Sequence, residues 1–197
     1  MQSKISLKWS ALIIGVAGIA FFLIIIFCLT IFLPAQVYNY YTKSVSYTPP
    51  GIPTRLEIPK INVDAAIIPM GVAKDGSMEA PSGPKDVGWF KPGPRPGDIG
   101  SAVVDGHYGY WKNGEGSVFD DLNKLRKGDE LYIEDEKGAI TAFVVRKILM
   151  YDPNEETSNI FSSNDGKAHL NLITCEGVWD STQQTYSNRL VIFTDKE

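Results

Sequence analysis

Cysteine is nearly absent from this chain. Only Cys28 and Cys175 occur in 197 residues, and Cys28 lies in a long apolar run near the N-terminus. The rest of the chain holds a single thiol and cannot close an internal disulfide. Histidine is as scarce, with only His107 and His169. There is no HExxH, no paired CxxC, no phosphate loop and no GxSxG, which removes the chemistries those motifs carry. An excess of basic charge is missing too. The first 33 residues carry Lys4 and Lys8 and no acid, so the remainder holds 17 basic and 23 acidic residues, net −6. That balance argues against nucleic acid and against docking on an anionic lipid surface. No internal repeat or low-complexity tract appears.

What the sequence does have is one long stretch without charge, Ala11 to Leu33, 23 residues. As a helix it would span about 35 Å, enough for a bilayer core. A cleavable signal peptide is the competing reading, but its apolar region usually runs about 7–15 residues, and no small-x-small site follows here. The expected layout is a cytoplasmic N-terminus at 1–10, a transmembrane anchor at 11–33, a linker or stalk at 34–50 and an extracellular domain at 51–197. Lys4 and Lys8 set the N-terminus inside by the positive-inside rule. Tyr38, Tyr40 and Tyr41 fit a headgroup-level belt or a helical stalk.

The remaining residues read as an all-β domain with one or two short helices, of barrel or sandwich type. Short apolar runs recur between turn signals: Leu56–Ile58, Ile61–Val63, Ala65–Met70, Gly88–Phe90, Ser101–Val104, Leu131–Ile133 and Ala139–Tyr151. Pro59 marks an edge or a bend, and Asp75-Gly76 marks a turn. Lys91 to Asp98 is too rich in proline and glycine for a helix. Ser117 to Leu125 is expected to be a short helix capped by Ser117. Asp152 to Gly166 is expected to be a long polar loop.

The chemistry concentrates at His169-Leu170-Asn171-Leu172-Ile173-Thr174-Cys175-Glu176-Gly177. Leu170, Leu172 and Thr174 fall on one face of a strand, and Asn171 and Ile173 on the other. Gly177 offers a turn, so the thiol should stand where a strand ends. Arg189 opens a second β-rich run fourteen residues later, and a loop between the two strands would set guanidinium beside thiol. His169 lies six residues before Cys175 in the same strand, roughly 20 Å away, and is expected to be a surface residue. His107 follows another apolar run in Asp105-Gly106-His107, from which the fold can bring it to the thiol. A nearby imidazole or cation favours the thiolate a cysteine nucleophile needs. Arg189 supplies planar donors for a carbonyl or an oxyanion. Each residue also has a plainer reading: Cys175 as a small buried hydrophobe, His107 as a turn histidine, Arg189 as an ion-pair partner of Asp195 or Glu176. For Asp105 a turn role is expected over a share in the histidine's face. Asp152, Glu155 and Glu156 are weak evidence for calcium, and no cofactor is expected.

These residues resemble the sortase family of cysteine transpeptidases. The resemblance is carried by Leu172-Ile173-Thr174-Cys175, by Arg189 in Ser187-Asn188-Arg189-Leu190-Val191 and by Gly106-His107, and it runs from about Leu56 to Phe193. Asn171 stands where the family usually has threonine or serine. Ile58-Pro59-Lys60-Ile61-Asn62-Val63-Asp64-Ala65, Gly88-Trp89-Phe90 and Gly93-Pro94-Arg95-Pro96-Gly97 look most like class F. The resemblance implies a closed β-barrel outside the cell membrane. It implies cleavage of an LPxTG-like sorting signal between threonine and glycine, through a thioester that an amine, commonly of a cell-wall precursor, resolves. Cys175 would be the nucleophile, His107 the general acid or base, and Arg189, with Thr174, the substrate-binding residues. A cysteine hydrolase using water and a catalytically silent surface module are the alternatives.

Overall fold

The computed structural model describes residues 21–31, 47–111 and 113–197. Residues 21–31 are helical and belong to one of two compact units, Met1–Thr48. Most of the remaining expected N-terminal layout, including 1–20 and 32–46, lies outside the described residues. No helix among the described residues is long and apolar enough to cross a membrane.

The second unit, Pro49–Glu197, is a closed barrel. Its strands are β1 (Pro53–Ile58), β2 (Val63–Met70), β3 (Val87–Phe90), β4 (Gly100–Gly106), β5 (Glu130–Asp135), β6 (Ile140–Tyr151), β7 (Ala168–Asp180) and β8 (Thr185–Lys196). Around the barrel they run β1-β2-β3-β4-β7-β8-β6-β5, and β5 closes on β1. The β2/β3 and β4/β7 pairs are parallel, while the other neighbours are antiparallel. Pro59 makes the expected bend as a 3₁₀ turn, Pro59–Ile61.

Alternation of side chains builds two cores. Ala102 and Val104 of β4, Leu170 and Leu172 of β7, and Leu190 and Ile192 of β8 fill the barrel. Their neighbours Val103, Val191 and Phe193 join a smaller cluster on the outer face with Tyr151 and Ile160. A sheet covered on both faces reads as continuous apolar sequence, as Ala102-Val103-Val104 does. Ile160 sits on the short helix Ser158–Phe161. Phe161 meets Phe90 edge-on at 5.3 Å between centroids. The polar loop expected from 152 to 166 is therefore broken by this helix, which caps the outer cluster.

Two other expectations change. Ser117 to Leu125 forms turns and one 3₁₀ segment, Leu122–Lys124, and no α-helix. Ser117 Oγ bonds to Gly109 O at 2.6 Å and does not cap. Phe119, Leu122 and Leu125 plug the barrel from this segment, so burial sets its shape over helical periodicity. Nor does β7 end at Cys175. It continues to Asp180 through a register shift between Glu176 and Trp179, with Gly177 at φ 93°. A bulge glycine accommodates that backbone at no steric cost. The β7–β8 hairpin thus projects beyond the thiol.

Candidate active site

Register alone assembles the site. Cys175 of β7 pairs directly with Arg189 of β8. On the other side of β7, Asp105 of β4 pairs with Ile173 in a parallel ladder. Two residues further along each strand, His107 and Cys175 come level on the outer face. His107, Cys175 and Arg189 line one cleft of about 610 Å³. The fold therefore brings the three together, although β7 runs on past the thiol, and leaves His169 at the far end of β7.

His107 is held from several directions. Its backbone carbonyl accepts from Phe119 N at 3.0 Å. Its Nε2 lies 2.7 Å from Pro81 O, and its ring leans on Trp111 at 4.9 Å and 54°. Gly106 before it has no room for a side chain, since a Cβ there would fall 2.5 Å from Phe119 Cδ2. The loop after His107 is tied down by Asp120, whose carboxylate accepts from Gly109 N at 2.7 Å and Ser117 N at 2.9 Å.

Thr174 is fully buried. Its hydroxyl donates to Gly106 O at 2.7 Å, which locks the ends of β4 and β7 together beneath His107 and Cys175. The structure thus puts this side chain under the cleft, away from its lining, where it positions the two residues above. Losing this bond would orphan a buried carbonyl, at a cost of about 1–3 kcal/mol.

Arg189 donates to Tyr186 O at 3.2 Å and Asn188 O at 3.0 Å through one nitrogen, and to Thr185 Oγ1 at 2.9 Å through another. Among the described residues it forms no ion pair with a carboxylate. Asp195 is taken by Arg146 and His169, and Glu176 accepts from Asn123. The alternative of a surface ion pair with either acid is therefore not what the structure holds. The guanidinium is fastened to its own hairpin and faces the cleft.

Burial pushes the Cys175 thiol up. Arg189 opposes that shift and Asp105 adds to it. Burial thus favours the neutral thiol at Cys175 over the thiolate. Asp105 is the site group that the sequence underrated. It lies in β4, not in a turn, on the face of His107 and Cys175. Burial pushes its carboxyl up to about 6, while His107, the Gly106 N–H and Arg189 pull it down. The signal was present in the spacing, since Asp105 and His107 are two apart on a strand.

Aromatic side chains form the lip of the cleft. Tyr186 meets Tyr108 at 5.2 Å and Trp179 at 5.1 Å, both edge-on. Tyr110 and Trp179 are exposed. The thiol, the imidazole and the guanidinium thus lie under an aromatic rim.

His169 departs from the reading as a surface residue: it is only 3% exposed. Its Nδ1 lies 2.7 Å from Asp195 Oδ1 and its Nε2 3.0 Å from Asp165 Oδ1. Asp195 is its cross-strand partner, and Asp165 comes from the preceding loop. This is a structural clamp remote from the cleft. The acids considered for calcium act as turn caps: Asp152 accepts from Asn154 N, Glu155 from Asp152 N and Glu156 from Ser158 N. Among the described residues no group of three or more such side chains is arranged for a metal ion.

The family model described as the sortase domain matches residues 56–197. Among solved structures, the chain is similar to sortase C1 of Streptococcus agalactiae in complex with MTSET, at 26% identity. That match covers 73% of this chain and 66% of that one, with a TM-score of 0.56. It is similar to sortase C-1 of Actinomyces oris at 25% identity, covering 81% of each chain with a TM-score of 0.58. A second S. agalactiae structure, sortase C1 of pilus island 1, matches at 24% identity over 73% of this chain and 63% of that one, with a TM-score of 0.56. The chain thus spans just under two-thirds of the length of those streptococcal relatives. No curated protein sequence matches it. These are sortase C structures, so the likeness to class F rests on the sequence segments alone. With the family model covering the barrel from Leu56 onward, histidine, thiol and arginine included, this chain belongs to the sortase family.

Proposed function

We propose that this protein is a membrane-anchored cysteine transpeptidase of class F type. It cleaves an LPxTG-like sorting signal between threonine and glycine and passes the acyl group to an amine. The observation that carries the reading is the pairing of Cys175 with Arg189 in register, level with His107 in one aromatic-rimmed cleft. His107 takes the thiol proton, and Cys175 Sγ attacks the threonyl carbonyl. Arg189 donates to the carbonyl oxygen as it gains charge. The C–N bond breaks, and the departing glycine amine leaves with the proton from His107. In the second half His107 takes a proton from the incoming amine, which attacks the thioester and releases the thiol. Burial holds Cys175 towards its neutral thiol, which gives His107 a proton to take in the first half.

The anchor is part of the same proposal. Lys4 and Lys8 before the uncharged run 11–33 put the N-terminus inside, and the net −6 body stands outside. Its partners are surface proteins bearing a sorting signal and a cell-wall amine. The test is a product assay with an LPxTG peptide, with and without a glycine amine. Ligated peptide that depends on the amine supports transfer. Hydrolysed peptide alone would make the chain a cysteine hydrolase, and no turnover would make it a silent surface module.

A further inference from the structure

Among the described residues the Pro81 carbonyl is the one backbone group bonded to the ring of His107, and no part of the reaction above uses it. A carbonyl oxygen accepts hydrogen bonds and never donates them. At 2.7 Å from Pro81 O, Nε2 must carry a hydrogen. It does so in the neutral ring and in the imidazolium alike, so the nitrogen that gains and loses a proton is Nδ1.

We propose that the Pro81 carbonyl is a positioning group for His107, fixing its proton on Nε2 and making Nδ1 the atom that shuttles protons in the reaction. The inference rests on the transpeptidase reading for the shuttle, and on geometry alone for the tautomer. Each half-reaction then balances at one atom. Nδ1 takes the Cys175 proton as Sγ forms its bond to the acyl carbon, and returns it to the amine as the C–N bond breaks. In the second half Nδ1 takes the incoming amine's proton and returns it to sulfur. The Nε2 hydrogen stays on Nε2, donated to Pro81 O, throughout.

The segment around Pro81 is built to hold that carbonyl still. Pro81 is buried, and its ring fixes its own φ. Upstream, Glu79 N donates to Gly71 O at 3.1 Å, and Glu79 Oε2 accepts from Gly71 N at 2.9 Å. Downstream, Pro84 O accepts from Val118 N at 2.8 Å, and Lys85 Nζ donates to Gly116 O at 2.8 Å. The segment is thus stapled both to the end of β2 and to the loop that follows His107. It crosses β3 at Gly88, the partner of Asp105, where a Cβ would stand 3.3 Å from Pro81 Cδ. The titratable or charged groups around the ring are Asp105 from the end of β4, Tyr108 and Tyr110 from the loop after it, Cys175 from β7, and Tyr186 and Arg189 from β8. None of them competes for Nε2, which Pro81 occupies. An untethered imidazole can turn over about its last torsion and exchange its two edges; the tether removes that freedom.

The experiment is nitrogen NMR of the full chain in detergent, labelled with [¹⁵N]histidine. Two histidines give two ring systems, and His107→Gln assigns them. In the pH range where His107 is neutral, the expected spectrum has hydrogen on Nε2 and a bare Nδ1. Hydrogen on Nδ1, or an equal mixture, would overturn the inference. Pro81→Gly keeps a carbonyl but frees its backbone. It should lower the Nε2–H share and reduce kcat on the order of tenfold, part of what general acid–base catalysis supplies, with KM little changed. An unchanged tautomer and kcat would remove Pro81 from the account. Normal transfer with hydrogen on Nδ1 would overturn this inference alone. Hydrogen on Nε2 with no thioester would overturn the transpeptidase reading and, with it, the shuttle.

Discussion

Replacing Asp105 by asparagine should make the barrel more stable at neutral pH and leave it unchanged in acid. Burial lifts this carboxyl from an ordinary 3.8 to about 6 in the folded protein. Between those values the folded chain keeps a proton that the unfolded chain has released. Wild-type stability therefore falls as pH rises through this window, and the loss is complete above it. At about 1.4 kcal/mol per pH unit the full effect is about 3 kcal/mol. The side chain is only half-buried, so water screens part of it, and about 1–2 kcal/mol is the expected gain for Asp105→Asn at pH 7.5. The amide keeps the shape of the protonated acid and cannot ionise. Urea unfolding of residues 49–197 between pH 3.5 and 8 reads the difference, with every other titration common to both proteins. The gap should be near zero at pH 3.5 and open between pH 4 and 7. A gap constant with pH, or one widening towards acid, would refute the reasoning. The wild type retains this cost beside His107 and Arg189.

Other outcomes follow from the same geometry. Arg189→Lys should lose about 10²–10³ in peptide turnover, the size of one lost oxyanion donor. Lysine cannot keep the bonds to Tyr186, Asn188 and Thr185 while facing the cleft, and melting on the same sample should change little. His169→Ala should destabilise the fold by about 1–3 kcal/mol through the lost bonds of the buried imidazole to Asp195 and Asp165, with turnover per folded molecule unchanged. A loss of turnover without a loss of stability would place His169 in the reaction. Thr174→Val should lower both melting temperature and turnover, because the hydroxyl that ties β7 to Gly106 also sets the spacing of Cys175 and His107.

The parts of the site that share a strand or a register were legible in the sequence. Cys175 and Arg189 sit on strands that stay in register from His169–Asp195 to Glu176–Asn188, so their pairing followed once those strands were neighbours. Gly106-His107 follows an apolar run that proved to be β4, whose two covered faces explain why it reads as continuous apolar sequence. Groups brought in by long connections were not legible. Pro81 reaches His107 from a loop 26 residues upstream, and no local pattern marks a backbone carbonyl. His169 reads as a surface residue because it lies too far along the strand from Cys175 to be its partner, and the sequence does not say that the strand is covered there. Its cover is made by Asp165 and Asp195, one from a loop and one from the next strand. The stretch 117–125 carried a helical pattern of apolar residues, but the same residues serve as a plug of turns in the barrel mouth.

The central claim is a thioester on Cys175, and intact-mass spectrometry of the protein mixed with an LPxTG peptide tests it most directly. The account predicts one adduct of the acyl fragment on Cys175, absent in Cys175→Ala, that a glycine amine discharges into ligated peptide. Peptide cleavage without an adduct on Cys175, or cleavage retained in Cys175→Ala, would contradict it.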